Sequence, residues 1–198
     1  GGRVGDQASI GLSDQLKSLG FSVERLKTGT PARLDKNTID WSLTIPQAGD
    51  EKFFPFSFRS STRLELPQVL CYLSRTTEET HEIIRKNLDK SPMYAGIIEG
   101  IGPRYCPSIE DKIVRFAERD SHQTFLEPEG LSTNSIYLQG ISTSLPYEIQ
   151  DKFLRTIPGL KNVGVLRYGY AVEYDFMNPL QVTHSLETKA IGGLFFAG

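Results

Sequence analysis

The chain has 198 residues, 38% of them apolar and 23% charged. That is an ordinary globular composition, with length enough for one sizeable core or for part of a larger domain carrying an insertion. The residues contain no run of about 18 apolar positions and no apolar stretch behind a basic start, which excludes a membrane-spanning helix and a secretory signal among them. The formal charge of −2 excludes the broad basic excess of a dedicated nucleic-acid binder and leaves any RNA contact to local clusters.

Taken in chain order, Gly1-Gly2-Arg3-Val4-Gly5 reads as a loop leaving a strand. Ser9 then precedes a helical pattern with Ile10, Leu12, Leu16 and Leu19 on one face, stopped by Gly20 as a C-terminal cap. Phe21, Val23 and Leu26 predict a strand, followed by a loop at Thr28-Gly29-Thr30-Pro31. A polar stretch to Asp50 leads into Phe53-Phe54-Pro55-Phe56-Ser57-Phe58, whose proline favours an edge strand or an extended loop.

Residues 68–75 predict a strand of mixed burial. Thr76 with Glu79 makes a capping-box pair for a helix through Ile83, Ile84 and Leu88. Ser108 is the expected N-cap of a helix from Ile109 to Phe116. Strands are expected at 122–126 and 135–138, then a third helix at 146–157, capped by Ser144 and closed near Gly159. Strands follow at 163–166 and 170–174. Gly192 to Phe196 reads as a strand apolar on both faces, the kind found in a parallel sheet, with its neighbours supplied from outside these residues. The expected fold class is α/β with an α+β insertion.

Two cysteines, Cys71 and Cys106, and three histidines, His81, His122 and His184, show no metal-ligand spacing. Two separated thiols suit a reducing compartment. The stretch Gly102-Pro103-Arg104-Tyr105-Cys106-Pro107-Ser108-Ile109-Glu110-Asp111-Lys112 carries the strongest chemical signal. A cysteine two residues before a helix N-cap lies near the positive end of the helix dipole, where thiolate is favoured over thiol. Arg104 and Lys112 add positive charge, and Pro103 and Pro107 restrict the backbone. The competing reading is a buried cysteine acting as a small apolar residue. Cys71, within Val69-Leu70-Cys71-Tyr72-Leu73, fits that reading better.

The same helix start offers free N–H groups to an anion, although Glu110 and Asp111 already place carboxylates there. Lys27-Thr28-Gly29-Thr30-Pro31 is a second candidate, since hydroxyls and a glycine let the backbone approach a flat cofactor; a strand-ending turn uses the same residues. Arg25, Lys27, Arg33 and Lys36, followed by Arg59 and Arg63, form either a solvated face or an RNA contact. Ser142, Thr143 and Ser144 form a hydroxyl-rich loop that N-capping explains only in part. Tyr168, Tyr170, Tyr174 and Phe176 supply aromatic surface for stacking or for the core. His81, on a capped helix, reads as a surface residue.

GRVGDQAS, RLKTGTPAR, THEIIRKNLDKSPMYAGIIEGIGPRYCPSIEDKIVRF, HQTFLEPEGL, GISTSLP, YAVEYDF and LETKAIGGLFFAG, in that order and spacing, resemble the MnmG (GidA) family from Gly1 to Gly198. The resemblance implies part of a glutathione-reductase-like FAD-binding domain interrupted by an insertion domain. Residues 1–28 and 181–198 would belong to the FAD domain, and 29–180 to an insertion associated with NADH and tRNA. It implies a cytoplasmic enzyme that modifies C5 of the tRNA wobble uridine with FAD, NADH and methylene-tetrahydrofolate. An MnmE-type GTPase would be its partner, and the whole protein would be a homodimer.

Carried over by position, Ser9, Thr28, Gly29 and Thr30 would lie at cofactor. The stretch from Gly102 through Ile113, Val114, Arg115 and Phe116 would be associated with NADH. Cys106 would be the functional thiol, adding to uridine C6 so that C5 becomes nucleophilic. Arg25, Lys27, Arg33, Arg59 and Arg63 would face RNA. The related folate- and FAD-dependent uridine methyltransferase, TrmFO, shares the fold but not GPRYCPSIEDK. A tRNA-binding module without chemistry is the third reading. The segments that complete a flavin site, including a glycine-rich FAD loop, are expected outside these residues.

Overall fold

The computed structural model describes residues 4–60, 66–95, 98, 102 and 107–197. Its first element is α1, Leu12–Ser18. The helix ends as Gly20 requires: at φ +89° the glycine N–H donates to Lys17 O (2.9 Å), and Phe21 N–H to Leu16 O (3.1 Å). This two-bond closure is the Schellman motif. The start differs from expectation, since Gly11 and not Ser9 occupies the N-cap. Ile10 stays 87% exposed, so the apolar face read from the pattern is not buried by the described residues.

Strand β1, Val23–Thr30, pairs antiparallel with β8, Tyr170–Met177, along all eight residues. The expected loop at Thr28–Pro31 is therefore mostly strand: Thr28, Gly29 and Thr30 face Val172, Ala171 and Tyr170. At the root of this ribbon Gly169 packs so closely that a Cβ would lie 2.6 Å from Thr30 O. The expected domain boundaries fall inside β1 and inside the 3-10 turn Pro179–Gln181.

The body between the two ribbon strands is a six-stranded sheet in the order β3-β4-β5-β6-β2-β7. The strands are β2 Arg33–Asp35, β3 Ile45–Gln47, β4 Cys71–Arg75, β5 Gln123–Pro128, β6 Ser135–Gln139 and β7 Val165–Arg167. Among the described residues every pairing in this sheet is antiparallel. β2 and β3 are too short and polar to show a period; pairing with their neighbours makes them strands. Pro46 is tolerated because β3 is an edge.

Thr124, Leu126, Ile136 and Leu138 face inward, alternating with outward Phe125 and Tyr137. Helices α2 Glu78–Arg85, α3 Ile109–Arg115 and α4 Tyr147–Leu154 contribute Ile84, Ile109, Ile113, Ile149, Phe153 and Leu154 to the same core. Each such side chain contributes about 1.5–3 kcal/mol by leaving water.

Four local expectations shift. The α2 capping box uses Thr77 and Thr80, not Thr76 and Glu79. Ser144 does not cap α4, whose N-cap is Pro146 with no side-chain bond. Gly192–Phe196 is not a buried strand here: Phe195 bridges Glu187 and is 56% exposed. His81 is buried rather than superficial.

His81 and Thr76 explain two of these differences together. Thr76 Oγ1 accepts from the His122 N–H (2.7 Å) and lies 2.8 Å from His81 Nε2. Its hydroxyl is thus committed to the α2–β5 contact, and capping passes to Thr77. The His81 and His122 rings are 5.1 Å apart.

Burial, then His81 and then Lys112, hold the His122 imidazole down to about 4, with Arg119 acting in the same sense and Glu118 against it. Burial and then Arg85 lower His81 as well. A histidine whose folded pKa is depressed takes its proton in the unfolded chain first. Stability therefore falls as pH drops through the window from about 6.5 to about 4, by at most about 1.4 kcal/mol per pH unit for one histidine. Unfolding midpoints measured across that window should show this slope in the wild type and a flatter one in His122→Gln; equal slopes would dismiss the assignment.

Candidate functional site

The two stretches singled out for chemistry, about 75 residues apart in sequence, meet at one cavity of about 280 Å³. Among the described residues it is lined by Lys27, Thr28 and Gly29 from β1, by Met93, Tyr94 and Gly102, and by Ser108, Asp111 and Arg115 from α3. The β1 wall packs on the 142–143 loop, where a Cβ at Gly29 would meet Ser142 Cβ and Thr143 N at 3.5 Å, an ordinary contact. Lys27 reaches across and donates to the carbonyls of Met93 and Ile98, both at 3.3 Å. Its charge ties Met93 and Ile98 to the ribbon.

The α3 wall is fixed by a reciprocal cap. Ser108 Oγ accepts from Asp111 N–H (3.1 Å), and Asp111 Oδ2 accepts from Ser108 N–H (3.2 Å). Asp111 also lies 3.8 Å from Arg115, at the exposed mouth. Burial, then the Asp111 carboxylate, push the Tyr94 phenol above its ordinary range, so Tyr94 remains a neutral donor at neutral pH.

Beneath the cavity, Glu110 is wholly buried. Its Oε1 accepts from Ser91 Oγ (3.1 Å), Thr143 Oγ1 (3.0 Å) and Ser144 N–H (3.1 Å). Ser91 and Ser144 hydroxyls lie 2.8 Å apart, and Ile109 N–H donates to Ser142 O (2.8 Å). These contacts account for two of the three hydroxyls of the 142–144 loop: that of Thr143 donates to the buried carboxyl, and that of Ser144 meets Ser91 and accepts from Met93 N–H.

Other expected residues are placed as follows. Ile109 and Ile113 lie in the hydrophobic core, while Val114 and Phe116 are exposed. Pro107 is half-buried, and Lys112 donates to Gly140 O (2.7 Å). Thr30 accepts from Arg33 (2.5 Å) and does not line the cavity. Pro103, Arg104, Tyr105, Cys106 and Arg63 lie outside the described residues. Cys71 is half-buried on β4, and burial raises its thiol, so it stays protonated.

Ser9 borders a separate hollow of about 860 Å³ between α1 and the ribbon. Here Arg25 meets Asp175 (2.7 Å) and Glu173 (3.4 Å), and Ser13 donates to Asp175 (2.6 Å). The Ser13 bond, then Arg25, hold the Asp175 carboxyl below its usual range. Of the basic residues expected at RNA, Arg25, Lys27 and Arg33 are thus engaged within the chain, whereas Arg59 is exposed with no ion pair among the described residues. Sequence reading missed Met93 and Tyr94, which no motif marks. No group of three metal-ligating side chains occurs among the described residues.

The fold is a mixed α/β body entered and left through one antiparallel ribbon, with a cavity at the junction. The family described as Glucose inhibited division protein A matches residues 1–198, and the chain belongs to that family. A relative from Bdellovibrio bacteriovorus, named tRNA uridine 5-carboxymethylaminomethyl modification enzyme MnmG, is 78% identical over all of this chain and 31% of its own length. The protein of the same name from Geobacter sulfurreducens is 60% identical, with the same coverage. A solved structure of Aquifex aeolicus GidA superposes with a TM-score of 0.86 at 52% identity, over 98% of this chain and 33% of the other. The chain therefore spans about a third of the length of these relatives.

Removing the Glu110 carboxylate would leave three buried donors without an acceptor. Glu110→Ala should cost about 3 kcal/mol or more in denaturant unfolding, and Glu110→Gln, which keeps an acceptor oxygen, markedly less. Equal losses would show that packing, not the hydrogen-bonded knot, sets the stability there.

Proposed function

We propose that this chain is the middle part of a flavin- and NADH-dependent enzyme that modifies C5 of the tRNA wobble uridine. The end-to-end similarity to the Bdellovibrio bacteriovorus MnmG carries this reading. In it, residues 1–28 and 181–198 belong to a FAD-binding domain, and 29–180 are an insertion. The full pairing of β1 with β8 supports an insertion whose entry and exit run side by side, although the cut at 28/29 falls within β1.

The cofactors fit in part. A cavity of about 280 Å³ is at the small end of ligand pockets, so it suits one end of a dinucleotide and not its whole length. Tyr94 lines it with a neutral phenol, and Gly29 and Gly102 leave backbone approachable, a set suited to the nicotinamide end of NADH. The hollow beside Ser9 is large enough for part of FAD. When bound, these two groups supply the redox chemistry, with methylene-tetrahydrofolate as the carbon donor. The chain's own part is positional. The Ser108–Asp111 cap and the Lys27 bridge hold the two walls, and Arg115 sits at the mouth.

Cys106 is the nucleophile in this reading: its thiolate adds to uridine C6, which makes C5 reactive. An MnmE-type GTPase and a second copy of the whole protein are the expected partners, in the cytoplasm.

In the full-length enzyme, Cys106→Ser should lose all wobble-uridine modification while retaining bound FAD, and Cys71→Ser should retain activity. Nucleoside analysis of tRNA from cells carrying each variant measures both. Normal modified uridine from the Cys106 variant would refute the thiol's role.

A further inference from the structure

A second polar pocket, of about 310 Å³, lies at the outer edge of the six-stranded sheet, where β7 is the last strand. Arg33 on β2 and Arg167 on β7 are direct register partners across it. Like charges placed opposite each other on paired strands are destabilising. The pairing slips by one residue at this point, leaving Leu166 out of register and 54% exposed. Such bulges re-aim neighbouring side chains.

The pocket's one acid, Glu129, does not balance both arginines. Its Oε1 accepts from Arg33 Nε (3.0 Å) and its Oε2 from Ser135 Oγ (2.5 Å). Arg33 is further fixed by donating to Pro31 O (2.7 Å) and by lying 4.4 Å over the Tyr137 ring. Arg33 and Glu129 therefore form a hydrogen-bonded pair, and the Arg167 charge acts on Glu129 from beyond bonding distance. The Arg167 side chain is exposed, with no hydrogen bond or salt bridge among the described residues. Tyr170 completes the wall. Its oxygen accepts from Val4 N–H (3.3 Å), so its own O–H remains free to donate.

We propose that this pocket binds a phosphate group through the Arg167 guanidinium and the Tyr170 hydroxyl, and that in the whole protein the phosphate is a backbone phosphodiester of the RNA substrate. The RNA half rests on the function proposed above; the anion half rests on the pocket alone. A guanidinium fork presents parallel N–H groups that match phosphate oxygens. Arg33 contributes mainly field and shape, because its Nε and Nη1 donors are already engaged within the chain.

The test titrates tRNA against the full-length protein and its Arg167→Ala and Arg167→Lys variants over a range of salt, with inorganic phosphate as a separate probe. One lost phosphate contact should weaken tRNA binding about three- to tenfold and lower the slope of log K against log salt by about one. Arg167→Lys should recover the slope but not all the affinity. Phosphate should raise the melting temperature of the wild type and not of Arg167→Ala.

If tRNA binds wild type and Arg167→Ala with equal affinity and slope while phosphate still discriminates them, the ligand is a free phosphate compound and the RNA half falls. If the wild type binds no tRNA, the function proposed above fails, and the phosphate arm alone decides the anion site. If neither probe distinguishes Arg167→Ala from wild type, the proposal is overturned and Arg167 is an ordinary solvated residue.

Discussion

A carboxyl group removed from water draws donors to it, and the placing of the cavity depends on how one oxygen of Glu110 is met. Glu110 stands in the first turn of α3, one residue from the Asp111 that caps the helix and lines the cavity. Its Oε1 draws in Ser91, just before Met93 and Tyr94, and Thr143 and Ser144, which back onto Gly29. One oxygen thus indexes α3, the 91–94 chain and the 142–144 loop against one another. An apolar residue of similar size would bury more cheaply, but it would not fix the three segments in one register. The desolvation cost is accepted in exchange for geometry.

The ribbon completes that geometry from the other side. Because β1 and β8 pair along their whole length, Lys27–Gly29 cannot move independently of the residues that leave the body at Gly169. Gln150 on α4 secures this exit: its side chain donates to Gly169 O (2.8 Å) and accepts from Gly169 N–H (2.8 Å). The close approach of Gly169 to Thr30 O leaves no room for a side chain where the strands meet the body. Two rigid walls joined by a buried polar knot are what a site requires when it must orient a flexible ligand without a cage of metal ions.

What was legible in the sequence followed the range of the forces involved. Ser108 as N-cap and Gly20 as C-terminal cap are local signals, and both form as read. The strands at β5 and β6 alternate clearly because one face is buried. Long-range contacts were not legible. Thr76 and Thr77 look alike as caps until the His122 amide takes the Thr76 hydroxyl from 46 residues away. β2 acquires strand conformation from β6 and β7 on either side, against its own polar Arg33-Leu34-Asp35 pattern. The hydroxyls of Thr143 and Ser144 were a real signal, but of a buried hydrogen-bond network around Glu110. The cavity itself was half legible: both of its walls were marked by glycine and hydroxyl residues, and nothing marked that they met.

Net charge is a poor guide to RNA contact in such a chain, because what matters is which cations are left over after folding. Arg25 is matched by Glu173 and Asp175, Lys27 by two carbonyls, and Arg33 by Glu129. Those three are the most conspicuous in sequence and the least available in structure. Arg59 and Arg167, by contrast, stand without ion pairs among the described residues, and only the first was marked by its neighbours in sequence. A contact with phosphate draws on charge that the fold has not already neutralised, since breaking an internal pair to make an external one returns little. By that measure a chain of formal charge −2 can still present cationic points to a polyanion, provided its acids are committed to its own arginines. The Arg33–Glu129 pair does this at the β7 edge: the acid is hydrogen-bonded to Arg33, and Arg167, which it meets only through space, keeps its donors.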